Sequence, residues 1–212
     1  MIATGCRLYI ITPERLELGD FPALLARALD AGEVAAVQLR LKNASDDVWK
    51  GSIDALRPIC QSRGVTFLLN DRADLVVATG SDGAHVGQGD MPARDARRLM
   101  GPGLTLGVTC KSSRDLALQA VEDGADYVAF GAFFASTSKQ VINVADPEIL
   151  RWWSERKSVP SCAIGGITAS NLAPLVRAGA NLLAIIGGVW NHPEGPAAGV
   201  RAINAAIRAA QQ

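Results

Sequence analysis

Short apolar runs alternate with longer amphipathic stretches from one end of the chain to the other. The runs that predict strands are Leu8–Ile11, Val34–Leu39, Val65–Leu69, Gly83–Val86, Thr105–Val108, Tyr127–Phe130, Ser161–Ile164 and Leu182–Ile186. Between them, apolar residues recur at helical spacing over Phe21–Ala31, Ser45–Arg63, Ala93–Met100, Ser112–Asp123, Pro147–Arg156, Ala169–Ala178 and Gly199–Ala210. A further short helix is expected to begin near Ala73. The segment "SSRDLALQAVEDGADYVAFG" shows the unit: Ser112 or Ser113 caps, Leu116, Ala117, Ala120 and Val121 form an apolar face, and Gly124 stops the helix before the next strand. "DGADYVAFG" and "AGANLLAIIG" are near repeats of the same phrase, and "DAGEVAAVQLR" is a looser third.

About eight βα units in a chain of this length predict a parallel (β/α)8 TIM barrel, class α/β. An open doubly wound sheet shares the rhythm but usually carries a Gly-rich turn after its first strand, and "LYIITPERLELGD" has none. No shift in composition marks a linker. A single domain over residues 1–212 is expected, with its core from about 7 to 208.

In such a barrel the chemistry sits at the C-terminal ends of the strands. The second strand runs into "VQLRLK", where Gln38, Arg40 and Lys42 recur with period two and share a face. Two cations on an inward face are costly unless an anion meets them, although Arg40 and Lys42 also suit a solvated helix start. The third strand ends in Asn70-Asp71, the fourth in Gly87-Gln88-Gly89-Asp90 and the fifth in Thr109. The sixth enters Ser136-Thr137-Ser138 closed by Lys139, and the last two reach "IGGIT" and "IIGGV". Singly, each is an ordinary turn or cap. Together they place two carboxylates, several cations, hydroxyls and two Gly-Gly turns on one rim. Asp71 and Asp90 are hard oxygen ligands suited to Mg2+ bridging a phosphate. Gly-Gly turns expose backbone N–H groups to a second phosphate.

Composition narrows the partners. Lys plus Arg equals Asp plus Glu at 21 each, so there is no net field to draw nucleic acid or an acidic membrane. Cys6, Cys60, Cys110 and Cys162 are widely spaced, and only His85 and His192 accompany them, which argues against zinc and for reduced cysteines in the cytoplasm. No stretch approaches the roughly 20 apolar residues that span a bilayer. His85, inside a strand, is expected to pack, and no Ser-His-Asp or Cys-His set is visible.

"QLRLK", "NDRADLV", "GAHVGQGD", "GVT", "STSK", "IGGIT" and "IIGGV", in this order and spacing, resemble the thiamine-phosphate synthase family over nearly the whole chain. The resemblance implies an enzyme that couples 4-amino-2-methyl-5-hydroxymethylpyrimidine diphosphate to a (carboxy)thiazole phosphate, by Mg2+-assisted dissociation of diphosphate. It implies that Gln38, Leu39, Arg40, Leu41, Lys42 and Asn70 hold the pyrimidine diphosphate and that Asp71 and Asp90 bind Mg2+. Thr109 and Lys139 would contact the diphosphate, with Arg40, Lys42, Thr109 and Lys139 as the catalytic set. Ser136, Thr137, Ser138, Gly166, Ile186 and Gly187 would hold the thiazole phosphate. The partners implied are these two small molecules, with no nucleic acid or membrane, and a homo-oligomer is compatible with the pattern. This chain departs from the family at Gly131-Ala132 and Ala135, where two prolines are usual, at Leu41, where an acidic residue is common, and at Thr109, where Ser is usual.

Two other readings share the barrel. A thiazole tautomerase would carry His in place of Lys111 and would not need Asp71 and Asp90. A non-catalytic barrel that only binds thiazole phosphate would keep the Gly-Gly turns without turnover.

Overall fold

The computed structural model describes residues 5–135, 144–156 and 159–212. Its strands are β1 (Arg7–Ile11), β2 (Ala36–Leu39), β3 (Thr66–Asn70), β4 (Gly83–Val86), β5 (Thr105–Lys111), β6 (Tyr127–Gly131), β7 (Ser161–Ile164) and β8 (Leu182–Ile185). The helices are α1 (Phe21–Asp30), α2 (Asp46–Gln61), α3 (Ala73–Thr79), α4 (Ala93–Met100), α5 (Arg114–Glu122), α6 (Glu148–Ser154), α7 (Ala173–Arg177), α8 (Gly187–Trp190) and α9 (Pro196–Ala210). Each strand pairs in parallel with its chain neighbours, and β8 closes on β1 through Arg7↔Leu182 to Ile10↔Ile185. The closed parallel barrel with alternating helices is the fold expected from the rhythm. No helix among the described residues is long and apolar enough to cross a membrane.

Alternation along each strand divides the apolar residues into two compartments. Leu8, Ile10, Phe67, Leu69 and Leu183 face outward and pack with helix residues such as Leu25, Ile53 and Leu56. Tyr9, Ile11, Leu68, Tyr127 and Cys162 face inward. The four cysteines are buried and free, so they serve as core residues.

The repeated phrases acquire a physical meaning at the N-terminal face. The Asx residue just before a strand accepts a hydrogen bond from the first residues of the preceding one. Asp82 Oδ2 accepts from Phe67 N (2.7 Å), Asp126 Oδ2 from Leu106 N (2.7 Å) and Asn181 Oδ1 from Ser161 N (2.9 Å). Each clamp satisfies a backbone donor that the short strand leaves unpaired.

Local differences from expectation have local causes. Ser113, not Ser112, caps α5 by accepting from Leu116 N. The helix expected over residues 169–178 shrinks to α7, because Asn171 is used in a turn. Its Oδ1 accepts from Thr168 N (2.8 Å) and its Nδ2 donates to Gly166 O (2.9 Å). Pro196 starts α9 three residues before the expected Gly199, since proline suits the first turn of a helix. The adjacent Trp152 and Trp153 belong to the helix layer: Trp153 is buried against Phe130, while Trp152 lies under the Arg114 and Arg156 guanidinium groups.

Candidate active site

The strand ends bring Gln38, Arg40, Asn70, Asp71, Asp90, Thr109, Gly166, Ile186 and Gly187 to the C-terminal rim of the barrel. Ser136, Thr137, Ser138 and Lys139 lie outside the described residues. Leu39 and Leu41 are buried in the outer compartment, so their side chains face the helices and not the rim. Any ligand contact at these two positions is through backbone.

Asn70 closes β3, opposite His85 of β4, and pairing continues one residue further through Asp71 N to His85 O (2.8 Å). That bond holds Asp71 at φ 62°, a left-handed conformation uncommon for residues with a Cβ. Asn70 Nδ2 then donates to Asp71 Oδ2 at 2.6 Å. On the next strand end, Asp90 Oδ2 accepts from Gly87 N at 2.8 Å. A Cβ at residue 87 would lie only 2.8 Å from that oxygen, so glycine is what lets the carboxylate turn back over the strand.

Asp71 and Asp90 meet side chain to side chain. Burial and the neighbouring Asp90 push the Asp71 carboxyl up to about 6, against smaller pulls downward from Asn70 and Arg40. Two carboxylates in contact must share a proton or a cation. The donor chemistry of the pair, two carboxylates, fits a hard dication.

The anion that Arg40 requires comes from a residue the sequence pattern did not single out. Arg40 is nearly buried, and its Nη1 donates to Glu14 Oε1 at 2.6 Å, while exposed Lys42 sits 3.8 Å from the same oxygen. Lys42 thus lies at the mouth and does not line the barrel interior with Gln38. Arg72 clamps α2 to α3 through Asp46 (2.9 Å) and Asp74 (2.8 Å) and takes no part in the rim.

Beneath the rim, His85 is fully buried, as expected for a packed residue, but it is also linked to the site. Its Nε2 meets Thr109 Oγ1 at 2.7 Å and its Nδ1 meets the Tyr127 hydroxyl at 2.8 Å. Burial lowers its pKa to about 4, so the ring is neutral at ordinary pH. Gln88 Nε2 donates to Thr109 O (2.7 Å) and holds the end of β5 from the neighbouring loop.

Comparison with known proteins decides between families that share this rim. Residues 8–189 match the family described as thiamine monophosphate synthase. The chain belongs to the thiamine-phosphate synthase family. It is 56% identical over 205 residues to the thiamine-phosphate synthase of Rhodospirillum centenum, covering 97% of this chain and 99% of that one. It is 48% identical to that of Hyphomonas neptunium, over 94% of this chain and 92% of the other. Among solved structures, thiamine phosphate pyrophosphorylase from Pyrococcus furiosus superposes with a TM-score of 0.83 at 29% identity, covering 97% of each chain. A 3-hexulose-6-phosphate synthase at 18% identity and a TM-score of 0.68 shares the fold alone. Within the family, the departures at Leu41 and Thr109 cost little geometry. Leu41 packs outward, and the Thr109 hydroxyl keeps a buried partner in His85.

Proposed function

We propose that this enzyme joins an aminopyrimidine methyl diphosphate to a thiazole phosphate, giving thiamine phosphate and free diphosphate. The observation that carries this reading is the contact between Asp71 and Asp90, two carboxylates held together at the rim of a barrel of this family. The tautomerase alternative has no need of that pair, and position 111 is Lys, without the His that such a relative would carry there.

In this reading, Gln38 and Asn70 bind the pyrimidine while Arg40, Lys42, Thr109 and Lys139 surround its diphosphate. Asp71 and Asp90 would hold Mg2+, which supplies charge neutralisation for the departing diphosphate. The C–O bond to the pyrimidine methylene breaks with its electron pair leaving on the diphosphate. The thiazole nitrogen then forms the new C–N bond to the resulting cation. Arg40 is prepared for an anion because Glu14 already holds its guanidinium at the mouth. A carboxylate in high dielectric is a weaker partner than a diphosphate, so exchange of Glu14 for ligand is favourable. Gly166, Ile186 and Gly187 offer backbone to the thiazole phosphate, and Asn171 sets that turn through Gly166 O. Ser136 to Ser138 would complete this side.

The chain acts as one barrel domain over residues 1–212, with its core between about 7 and 208, on small molecules in the cytoplasm. The test is direct incubation of the protein with both substrates and Mg2+, read as thiamine phosphate formed. Tight thiazole phosphate binding without product would overturn the coupling reaction in favour of a non-catalytic barrel. Interconversion of thiazole tautomers without coupling would favour a tautomerase.

A further inference from the structure

One line of polar atoms crosses the otherwise apolar interior of the barrel. Gln38 Nε2 donates to the Tyr9 hydroxyl at 2.8 Å, and the Tyr9 and Tyr127 hydroxyls meet at 2.9 Å. Tyr127 meets His85 Nδ1, and His85 Nε2 meets Thr109 Oγ1. The two ends are rim residues of the proposed reaction. The three in the middle are buried beneath it. Space has been set aside for this line. A Cβ at Gly107 would lie 2.0 Å from Tyr127 Cζ, so β5 carries no side chain where the Tyr127 ring crosses it. Tyr9 packs against that ring edge to face, with centroids 6.0 Å apart.

Counting hydrogens shows that the line has only two self-consistent directions. Each hydroxyl has one hydrogen to give, and a neutral imidazole has one N–H. When Gln38 donates to Tyr9, Tyr9 donates to Tyr127 and Tyr127 to His85 Nδ1. His85 then donates from Nε2 to Thr109, and the Thr109 proton is left to point at a ligand. The reverse direction needs the Gln38 amide turned over, with Oε1 accepting from Tyr9. It also spends the Thr109 proton on His85. Any mixture leaves a buried donor or acceptor unpaired.

A diphosphate offers acceptors only, so a diphosphate at Thr109 selects the first direction. Gln38 is then left with Oε1 and its second Nε2–H, in an order fixed by the bond to Tyr9. An exocyclic amine beside an unprotonated ring nitrogen matches that order, and a carbonyl beside a ring N–H reverses it.

We infer that Tyr9, Tyr127 and His85 are positioning residues that lock the polarity of Gln38 to that of Thr109, so that the site takes a 4-aminopyrimidine diphosphate and refuses the 4-oxo counterpart. This rests on the assignment of Gln38 and Thr109 made above for the coupling reaction. The three residues touch neither substrate and act through the two ends of the line.

The test uses the full chain with Mg2+ and compares Tyr9→Phe, Tyr127→Phe and the double variant. Each single variant keeps its ring and is expected to lower kcat/KM for the aminopyrimidine diphosphate about 10- to 100-fold, the scale of a lost polar match. The double variant is expected to be no worse than the weaker single by more than about threefold, because one line is cut twice. KM for the thiazole phosphate stays within about twofold, and preference for the 4-amino over the 4-oxo diphosphate falls at least about tenfold. Losses that multiply in the double variant, a parallel rise in thiazole KM, or an unchanged preference would overturn the inference.

A second measurement does not depend on turnover. The chain has two histidines, so 15N spectra can be assigned with His192→Gln. The protein saturated with inorganic diphosphate should show His85 as the Nε2–H tautomer. The Nδ1–H tautomer there would overturn the proposal even if the folded variants could not be obtained. Absence of thiamine phosphate from the unmodified protein would instead overturn the coupling reaction, while the tautomer would still report on the line.

Discussion

The same eight strands build two cores of different character. Outward residues meet the helices in a dry compartment of Leu, Ile, Val and Phe, where Phe67, Ile53 and Leu56 are fully buried. Inward residues alternate with them yet include Tyr9, Gln38, His85 and Tyr127, joined by hydrogen bonds. The outer core needs only volume, since helix packing tolerates any apolar shape that fills the gap. The inner core lies directly under the rim, so its polar atoms can influence what the rim presents. Stability is therefore concentrated outside the barrel wall and orientation inside it.

The sharpest way to break this comparison is to damage each side separately. Phe67→Ala in the outer core should cost about 3–5 kcal/mol in urea unfolding, with kcat per folded molecule nearly unchanged. A loss of kcat matching the loss of stability would mean that the two cores are not separable. Asp71→Asn on the rim should do the opposite. Product formation is expected to fall at least about 100-fold, roughly 3 kcal/mol of barrier, with no loss of melting temperature in metal-free buffer. A large drop in that temperature would make Asp71 a structural turn residue.

Acid provides a finer separation, because the two sides titrate with opposite sign. His85 falls from 6.5 to about 4 on folding, so the unfolded chain takes up its proton first. Its contribution is present above pH 6.5 and is lost as pH falls towards 4, to a limit of about 3 kcal/mol. Asp71 rises from 3.8 to about 6, so its contribution is present below 3.8 and is lost as pH rises through 6. Asp71 is only partly withdrawn from solvent, and screening makes its effect the smaller of the two. Unfolding curves without metal should show a shallow acid limb between pH 6.5 and 4 that steepens in Asp71→Asn and flattens in His85→Gln. An unchanged limb in His85→Gln would show that the ring is already charged in the fold.

The smallest expected effect is at Glu14. Removing its charge in Glu14→Gln releases Arg40 from its ion pair. Inorganic diphosphate should then bind about fivefold more tightly, close to 1 kcal/mol, by titration calorimetry. Weaker binding would show that Glu14 aims Arg40 and does not compete with the ligand.

Much of the rim could be seen along the chain because each contributor ends a strand. Asn70-Asp71, Asp90 and Thr109 are legible once the βα period is recognised, since that period places them on one side of the barrel. Glu14 carries no such signal: it lies in an irregular loop, and its partner Arg40 is 26 residues away. Tyr9 and Tyr127 lie in apolar strand runs, and both are buried. Their hydroxyl contact joins positions 118 residues apart, which no local pattern records. Asn171 hid inside a helical period because its side-chain turn competes with the helix it interrupts.

Alternating periods of two and 3.6 by themselves determined the barrel, the order of its strands and the end at which polar residues gather. Local spacing suffices for these because it records which face of each element is apolar. Closure decided the rest. It put Asp71 against Asp90, gave Arg40 its carboxylate and turned a tyrosine, a tyrosine and a histidine from three strands into one hydrogen-bonded line. Hydrogen bonds require partners within about 3 Å, and only the packed barrel sets distances between residues far apart in the chain.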